Sequence, residues 1–270
     1  MLKQHKVKIL LIFLGALFLI VMLVLPLATV LVYALRQGLA AFSEAVTDEY
    51  AVKALKLTLF TTGITVIVNT IFGIFAAWAI AKFNFRGKQI LTTLIDIPFS
   101  ISPIIAGLVF ILVFGRIGWA YPLLEAWNMK IVFAVPGIVL ATIFVTFPFV
   151  SRELIPLMEA QGSEEEEAAA LMGAKGLRIF FKVTLPHIKW GLLYGVILCT
   201  ARSLGEFGAV SVVSGHLRGK TNTLPLHVEI LFNEFKLTAA FAVSSILVVI
   251  AIIILILRNI VEYRVKREER

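Results

Sequence analysis

The chain has 270 residues, 60% of them hydrophobic and only 16% charged, with a mean hydropathy of +0.96. That apolar share exceeds what soluble domains carry, so the composition excludes a soluble globular protein and identifies an integral membrane protein. The net charge of +8 does not indicate nucleic acid, because the Lys and Arg residues cluster between apolar runs and form no basic face.

The N-terminus, MLKQHKVK, leads into an apolar run from Ile9 to about Leu35. A cleavable signal core holds only about 7–15 residues, so this run reads as a retained membrane helix. Further windows long enough to cross a bilayer core, about 20 apolar residues, fall near 55–81, 90–114, 132–151, 190–213 and 237–257, giving six spans. Alternate connections hold sixteen Lys and Arg against seven, which places both termini in the cytoplasm. Pro98 and Pro103 interrupt the third span. Each removes a backbone donor, either as a packing kink or as a break sheltered by protein or a watery cavity. The single cysteine, Cys199, excludes an internal disulfide and reads as a small packing residue. Internal repeats, low-complexity tracts and a soluble domain are absent from the sequence, so 1–270 is one transmembrane domain.

Between the fourth and fifth spans, on the cytoplasmic side, lies EEEEAAALMGAKGLRIFFKVTLP, residues 164–186. Ser163 followed three residues later by Glu166 has the form of a capping box, and acidic residues in a first turn suit the positive end of the helix dipole. The spacing predicts one helix ended by a left-handed Gly173. A second is expected from about Gly176 to Leu185, stopped by Pro186. Two short helices joined by a glycine bend suit a docking element; an amphipathic segment lying on lipid headgroups is the alternative.

The order Glu167, Ala168, Ala169, then Gly173, then Val183, Leu185 and Pro186 resembles the EAA loop of bacterial ABC importer permeases. Its pattern is Glu-Ala-Ala, three residues, Gly, nine residues, Ile-x-Leu-Pro, and valine at 183 is the one departure. The resemblance implies an all-α type I importer permease of six spans, multi-pass in the bacterial inner membrane. Residues 163–186 would form the coupling loop that inserts into a groove of a cytoplasmic ATPase. The stretch 186–232, with ARSLGEFGA, GAVSVVSG, RGKT and LPLHVE, is similar to the CysW-type permeases of sulfate/thiosulfate importers. That resemblance implies a CysT-type second permease, two CysA-type ATPase subunits that bind the ATP and Mg, and a soluble sulfate- or thiosulfate-binding protein. Molybdate or tungstate permeases, which carry a similar ARSLGEFGA segment and pair with themselves, are the alternative.

The fifth span contains Arg202 and Glu206. Arg202 lies roughly 18 Å from either end of a helix rising 1.5 Å per residue, a depth at which a charge costs about 2.5–3.5 kcal/mol. Their i, i+4 spacing predicts one shared helix face, together with Cys199, Ala209 and Val213, while Gly205 and Gly208 permit close helix approach. With Ser203, the pair either borders an anion path or locks the span to its neighbours. In the outer loop, His216, Arg218 and Lys220 either meet an arriving partner or form a solvated surface. His5, His187 and His227 are dispersed, without metal-ligand spacing. No phosphate-binding Gly-rich loop is present in the sequence, so energy is expected from a partner, with no cofactor held by this chain. An intramembrane enzyme would need a nucleophile and base that Arg202 and Glu206 do not supply. An ungated channel would leave the docking element unexplained.

Overall fold

The computed structural model describes residues 2–268, with side chains described over 7–264. Met1 and residues 269–270, the ends of the two termini read as cytoplasmic, lie outside the described residues, as does the side chain of His5. In chain order the helices are α1 (Val7–Leu35), α2 (Gly38–Thr47), α3 (Glu49–Lys82), α4 (Lys88–Ser100), α5 (Pro103–Phe114) and α6 (Tyr121–Ala126). They continue with α7 (Val135–Gln161), α8 (Glu164–Leu171), α9 (Gly176–Leu204), α10 (Gly208–Val213), α11 (Leu224–Asn233) and α12 (Leu237–Glu268). Five of them, α1, α3, α7, α9 and α12, are long and apolar enough to cross a membrane. The α4–α5 pair, taken as one broken span, brings the number to six.

The third span is more than kinked. Its halves meet at 108°, with Ile101 and Ser102 extended between them and Pro103 in the first turn of α5, where its missing N–H leaves nothing unsatisfied. Two other boundaries differ from the sequence reading. The fourth span does not stop near 151 but runs to Gln161, because Val150, Leu154 and Met158 continue one buried face at intervals of four; Arg152 and Glu153 are therefore helical and not part of the loop. The fifth span does not run to 213. It stops at Leu204, and α10 starts separately at Gly208.

Helix α3 starts at Glu49 because the Asp48 carboxylate accepts the backbone N–H groups of Tyr50 (2.9 Å) and Ala51 (3.2 Å). It buries a stripe of small and polar residues, among them Ala51, Ala54, Thr58, Thr65, Asn69 and Ala77. Small side chains let helix backbones approach closely where lipid provides no hydrophobic drive. The first turns of α3, with Ala51 and Ala54, pack on α11 and α12, and the rest of the stripe packs on α7, the most enclosed of the spans, which packs in turn on α9. At their meeting point Asn69 donates to Thr146 Oγ1 (2.8 Å) and the Ile143 carbonyl (3.3 Å), with Cys199 Sγ 3.7 Å away. Such interhelical hydrogen bonds contribute on average about 0.6 kcal/mol each, and here one amide joins three spans. Cys199 is thus a packing residue of the core.

The two breaks, in the third and fifth spans, lie side by side. A Cβ on Gly208 would stand 2.9 Å from Pro103 Cβ, and one on Gly107 would stand 2.6 Å from the Ala209 carbonyl oxygen. Only glycine lets α5 and α10 approach so closely.

Candidate coupling loop and intramembrane charges

Helix α8 carries Glu164 to Glu167 in its first turn, where carboxylates meet the positive end of the helix dipole. The capping box does not form. Ser163 makes no side-chain cap; its hydroxyl donates to Glu167 Oε1 (2.5 Å), and Glu166 turns away toward the membrane domain. The glutamates therefore divide their roles. Glu165 meets His187 Nδ1 at 3.2 Å, Glu166 is largely buried, and Glu167 stays on the exposed side with Ala168. Ala169 is buried on the side of Glu166, as its spacing of three residues requires.

The helix ends as a Schellman turn. Gly173 has φ +84°, its N–H donates to the Ala170 carbonyl (2.9 Å), and the Ala174 N–H donates to Ala169 (3.0 Å). Around that bend Leu171 is 90% exposed, Met172 83% and Leu177 77%. An apolar tip of this kind is costly to leave in water.

Pro186 does not stop the second helix, which continues unbroken into the fifth span. A π turn over Phe180–Thr184, closed by the Leu185 N–H on the Phe180 carbonyl, widens the backbone ahead of the proline, whose missing N–H is thereby accommodated. Val183 and Leu185 are half-buried and Pro186 is exposed. The candidate loop residues thus form one continuous projection, with Glu167, Ala168 and Gly173 on its outside.

Arg202 and Glu206 do pair, though not on one helix face. Arg202 sits in the last turn of α9, and Glu206 lies beyond it in the break. Arg202 Nη1 meets Glu206 Oε2 at 2.6 Å, while Glu206 Oε1 accepts the Ala209 N–H at 2.8 Å in the first turn of α10. The cation thus faces a negative helix end and the anion a positive one. Glu206 is 1% exposed and Arg202 33%. Ser203 turns the other way, buried with its hydroxyl 3.4 Å from Thr146 Oγ1. Cys199, Ala209 and Val213 are all fully buried, but the break at Gly205 divides the face they were expected to share.

A second charged pair escaped the sequence reading. Arg152 in α7 donates from Nε to Asp96 Oδ1 (2.8 Å) and from Nη2 to Oδ2 (3.2 Å), and its guanidinium lies 4.9 Å from the Phe99 ring centroid. This bidentate fork ties the half-helix α4 to α7. The available signal was the four-residue recurrence of Val150, Leu154 and Met158, which carries the helix past Arg152. In the outer loop, Arg218 pairs with Glu234, and His216 Nε2 lies 2.9 Å from the Ser211 carbonyl, so both belong to the fold's own contacts; Lys220 is exposed. Among the described residues no group of three or more His, Cys, Asp or Glu is placed to hold a metal ion.

Residues 69–267 match the family model described as "Binding-protein-dependent transport system inner membrane component". The sulfate transport system permease protein CysW of Synechocystis is 47% identical over 262 residues, 97% of this chain and 95% of that one. The CysT permease protein of Salmonella typhimurium is 34% identical over 251 residues, 93% of this chain and 91% of the other. Among solved structures, a chain of a bacterial alginate ABC transporter in complex with its alginate-bound periplasmic protein superposes with TM-score 0.81, covering 97% of this chain and 96% of that one. At 16% identity that likeness concerns the fold alone. The chain belongs to the family of binding-protein-dependent transport system inner membrane components, as a CysW-type permease of ABC importers.

Proposed function

We propose that this chain is the CysW-type membrane subunit of a sulfate/thiosulfate importer and moves the anion inward by alternating access. The observation that carries the proposal is its 47% identity to a CysW permease along nearly the whole of both chains, well above its 34% identity to a CysT protein. That difference supports a heteromeric pair, with a CysT-type chain as the second permease. Two CysA-type ATPase subunits hold the ATP and Mg, and a sulfate- or thiosulfate-binding protein delivers the anion. Nothing in the structure favours a self-paired molybdate permease.

In this reading 163–186 is the coupling loop of the single transmembrane domain. Leu171, Met172 and Leu177 enter the ATPase groove, Glu167 and Ala168 border it, and Gly173 sets the angle of entry. Ala169, Val183, Leu185 and Pro186 join the docking helix to the fifth span. Closure of the ATPases on ATP draws the docking helices together, and the spans open outward. Arg202 then offers the anion a partly neutralised positive charge beside two adjoining helix breaks, an arrangement that suits transient coordination near the midplane. Glu206 limits how tightly Arg202 holds its ligand, and Ser203 supports the pair from behind.

The test is uptake of radiolabelled sulfate and thiosulfate by proteoliposomes holding the four-component complex, with binding protein outside and ATP inside. ATP-dependent accumulation of either anion is expected. Accumulation of molybdate alone, by a complex containing only this permease and one kind of ATPase, would overturn the assignment.

A further inference from the structure

The proposed function assigns the outer side of α8 to the ATPase and leaves its inner side unexplained. There the Glu166 side chain, 15% exposed, meets two partners that are buried more deeply. Lys82, the last residue of α3, is 5% exposed, and its ammonium stands 3.1 Å from Glu166 Oε1. Thr184, the last residue of the π turn, is fully buried and donates its hydroxyl to the same oxygen at 2.6 Å. Lys82 also donates to the Gly162 carbonyl, just ahead of α8. Above this junction the Trp78 and Phe180 rings lie 5.6 Å apart, again joining α3 to the π turn.

One carboxylate therefore ties three segments: the docking helix, the cytoplasmic end of the second span and the base of the fifth. A lysine ammonium is seldom withdrawn from water at a membrane surface, where it reaches the aqueous side readily. Here it is withdrawn and satisfied by two acceptors on the loop itself. The π turn aims Thr184 at the same point, and such turns occur often at functional sites.

Resting on the proposed function, we infer that Glu166, Lys82 and Thr184 are positioning residues that transmit the displacement of the docking helix to the second and fifth spans together. Glu167 faces the ATPase; Glu166 faces the membrane domain. A push on α8 reaches α9 through the chain in any case. The tie adds α3, so that the two spans meeting at Asn69 and Cys199 move as one body.

The inference is tested in the complete complex in proteoliposomes by measuring ATP hydrolysis and sulfate uptake together. Glu166→Ala, Lys82→Met and Thr184→Val are expected to keep ATP hydrolysis within about twofold of the parent while uptake per ATP falls on the order of tenfold, within the usual range of coupling effects. Thr184→Ser, which keeps the hydroxyl, should restore the ratio. If a single variant fails to assemble, the Lys82→Cys, Glu166→Cys pair joined by a short bifunctional maleimide should recover coupling that the unjoined pair lacks. An unchanged uptake per ATP in assembled Glu166→Ala, or no recovery on joining the cysteines, overturns the tie. Failure of the parent complex to take up sulfate or thiosulfate would instead overturn the proposed function.

Discussion

Removing Arg202 should cost more than removing Glu206, because the two partners are unequally buried, and removing both tests whether the pair also serves transport. In Arg202→Met the Glu206 carboxylate, 1% exposed, would keep only the Ala209 N–H as partner. Breaking a buried pair in this way costs about 3–5 kcal/mol; the 33% exposure of Arg202 places this case at the lower end, about 3 kcal/mol. For a chain of this size that corresponds to roughly 6–12 °C in Tm. Glu206→Gln retains an amide oxygen for Ala209 and leaves an arginine that reaches water, so its cost is about 1 kcal/mol. The double variant strands no charge and should return to within about 1 kcal/mol of the parent. Thermal unfolding of the detergent-purified complex measures these differences, and proteoliposome uptake is measured alongside. If Arg202 serves the anion, the double variant is stable and slow. Equal losses in the two single variants would refute the burial reasoning, and a stable double variant transporting at the parent rate would eliminate the path role.

Gly173→Val forces a β-branched residue into φ +84° with nothing within 4 Å of its Cβ, so strain of about 1–2 kcal/mol comes from the backbone alone. ATPase co-purification and uptake should fall while membrane insertion persists, and Gly173→Asn should retain more of both; normal uptake by the valine variant would end the docking-bend account. Burial pushes the His227 imidazole below its ordinary 6.5, the residue being 3% exposed in α11. Its contribution to stability is thus fully present above pH 6.5 and is lost as pH falls through the lowered folded value. Between about pH 7.5 and 5 the parent should lose Tm faster than His227→Gln, and parallel curves would contradict the assignment. Affinity purification of the chain from membranes should recover a non-identical permease by mass spectrometry, whereas a functional homodimer would point to the molybdate alternative.

The spans were legible because hydropathy is a sum over many residues, which a few misplaced ends do not disturb. Arg152 was counted with a loop, yet moving it into α7 leaves the charge balance on the same side. The Schellman turn was legible at Gly173 because a left-handed residue after a run of alanines has few other uses. What four consecutive glutamates could not reveal is which one turns inward. Helical phase allies Glu166 with Ala169, but its partner Lys82 stands 84 positions earlier in the sequence, and no local pattern announces a contact at that range.

The break in the fifth span escaped a hydropathy window because Gly205 and Gly208, near neutral in hydropathy, lower its mean only slightly, yet a trace of it was present. Glu206 stands between those two glycines in an apolar run, and an acid so placed has little reason to continue a helix when it can cap the next one. The i, i+4 spacing therefore gave the right pair by way of the wrong geometry. The difference matters to function. On one continuous helix the pair would be an ornament of a face, removable with little consequence for its neighbours. Across a break, Glu206 fixes the start of α10 through the Ala209 N–H, and α10 lies against α5 at the bend of the third span. The same carboxylate that pairs with Arg202 thus holds two broken spans in register. A path role and a structural role need not compete for this pair, because the joint that positions the charge is made by the charge itself.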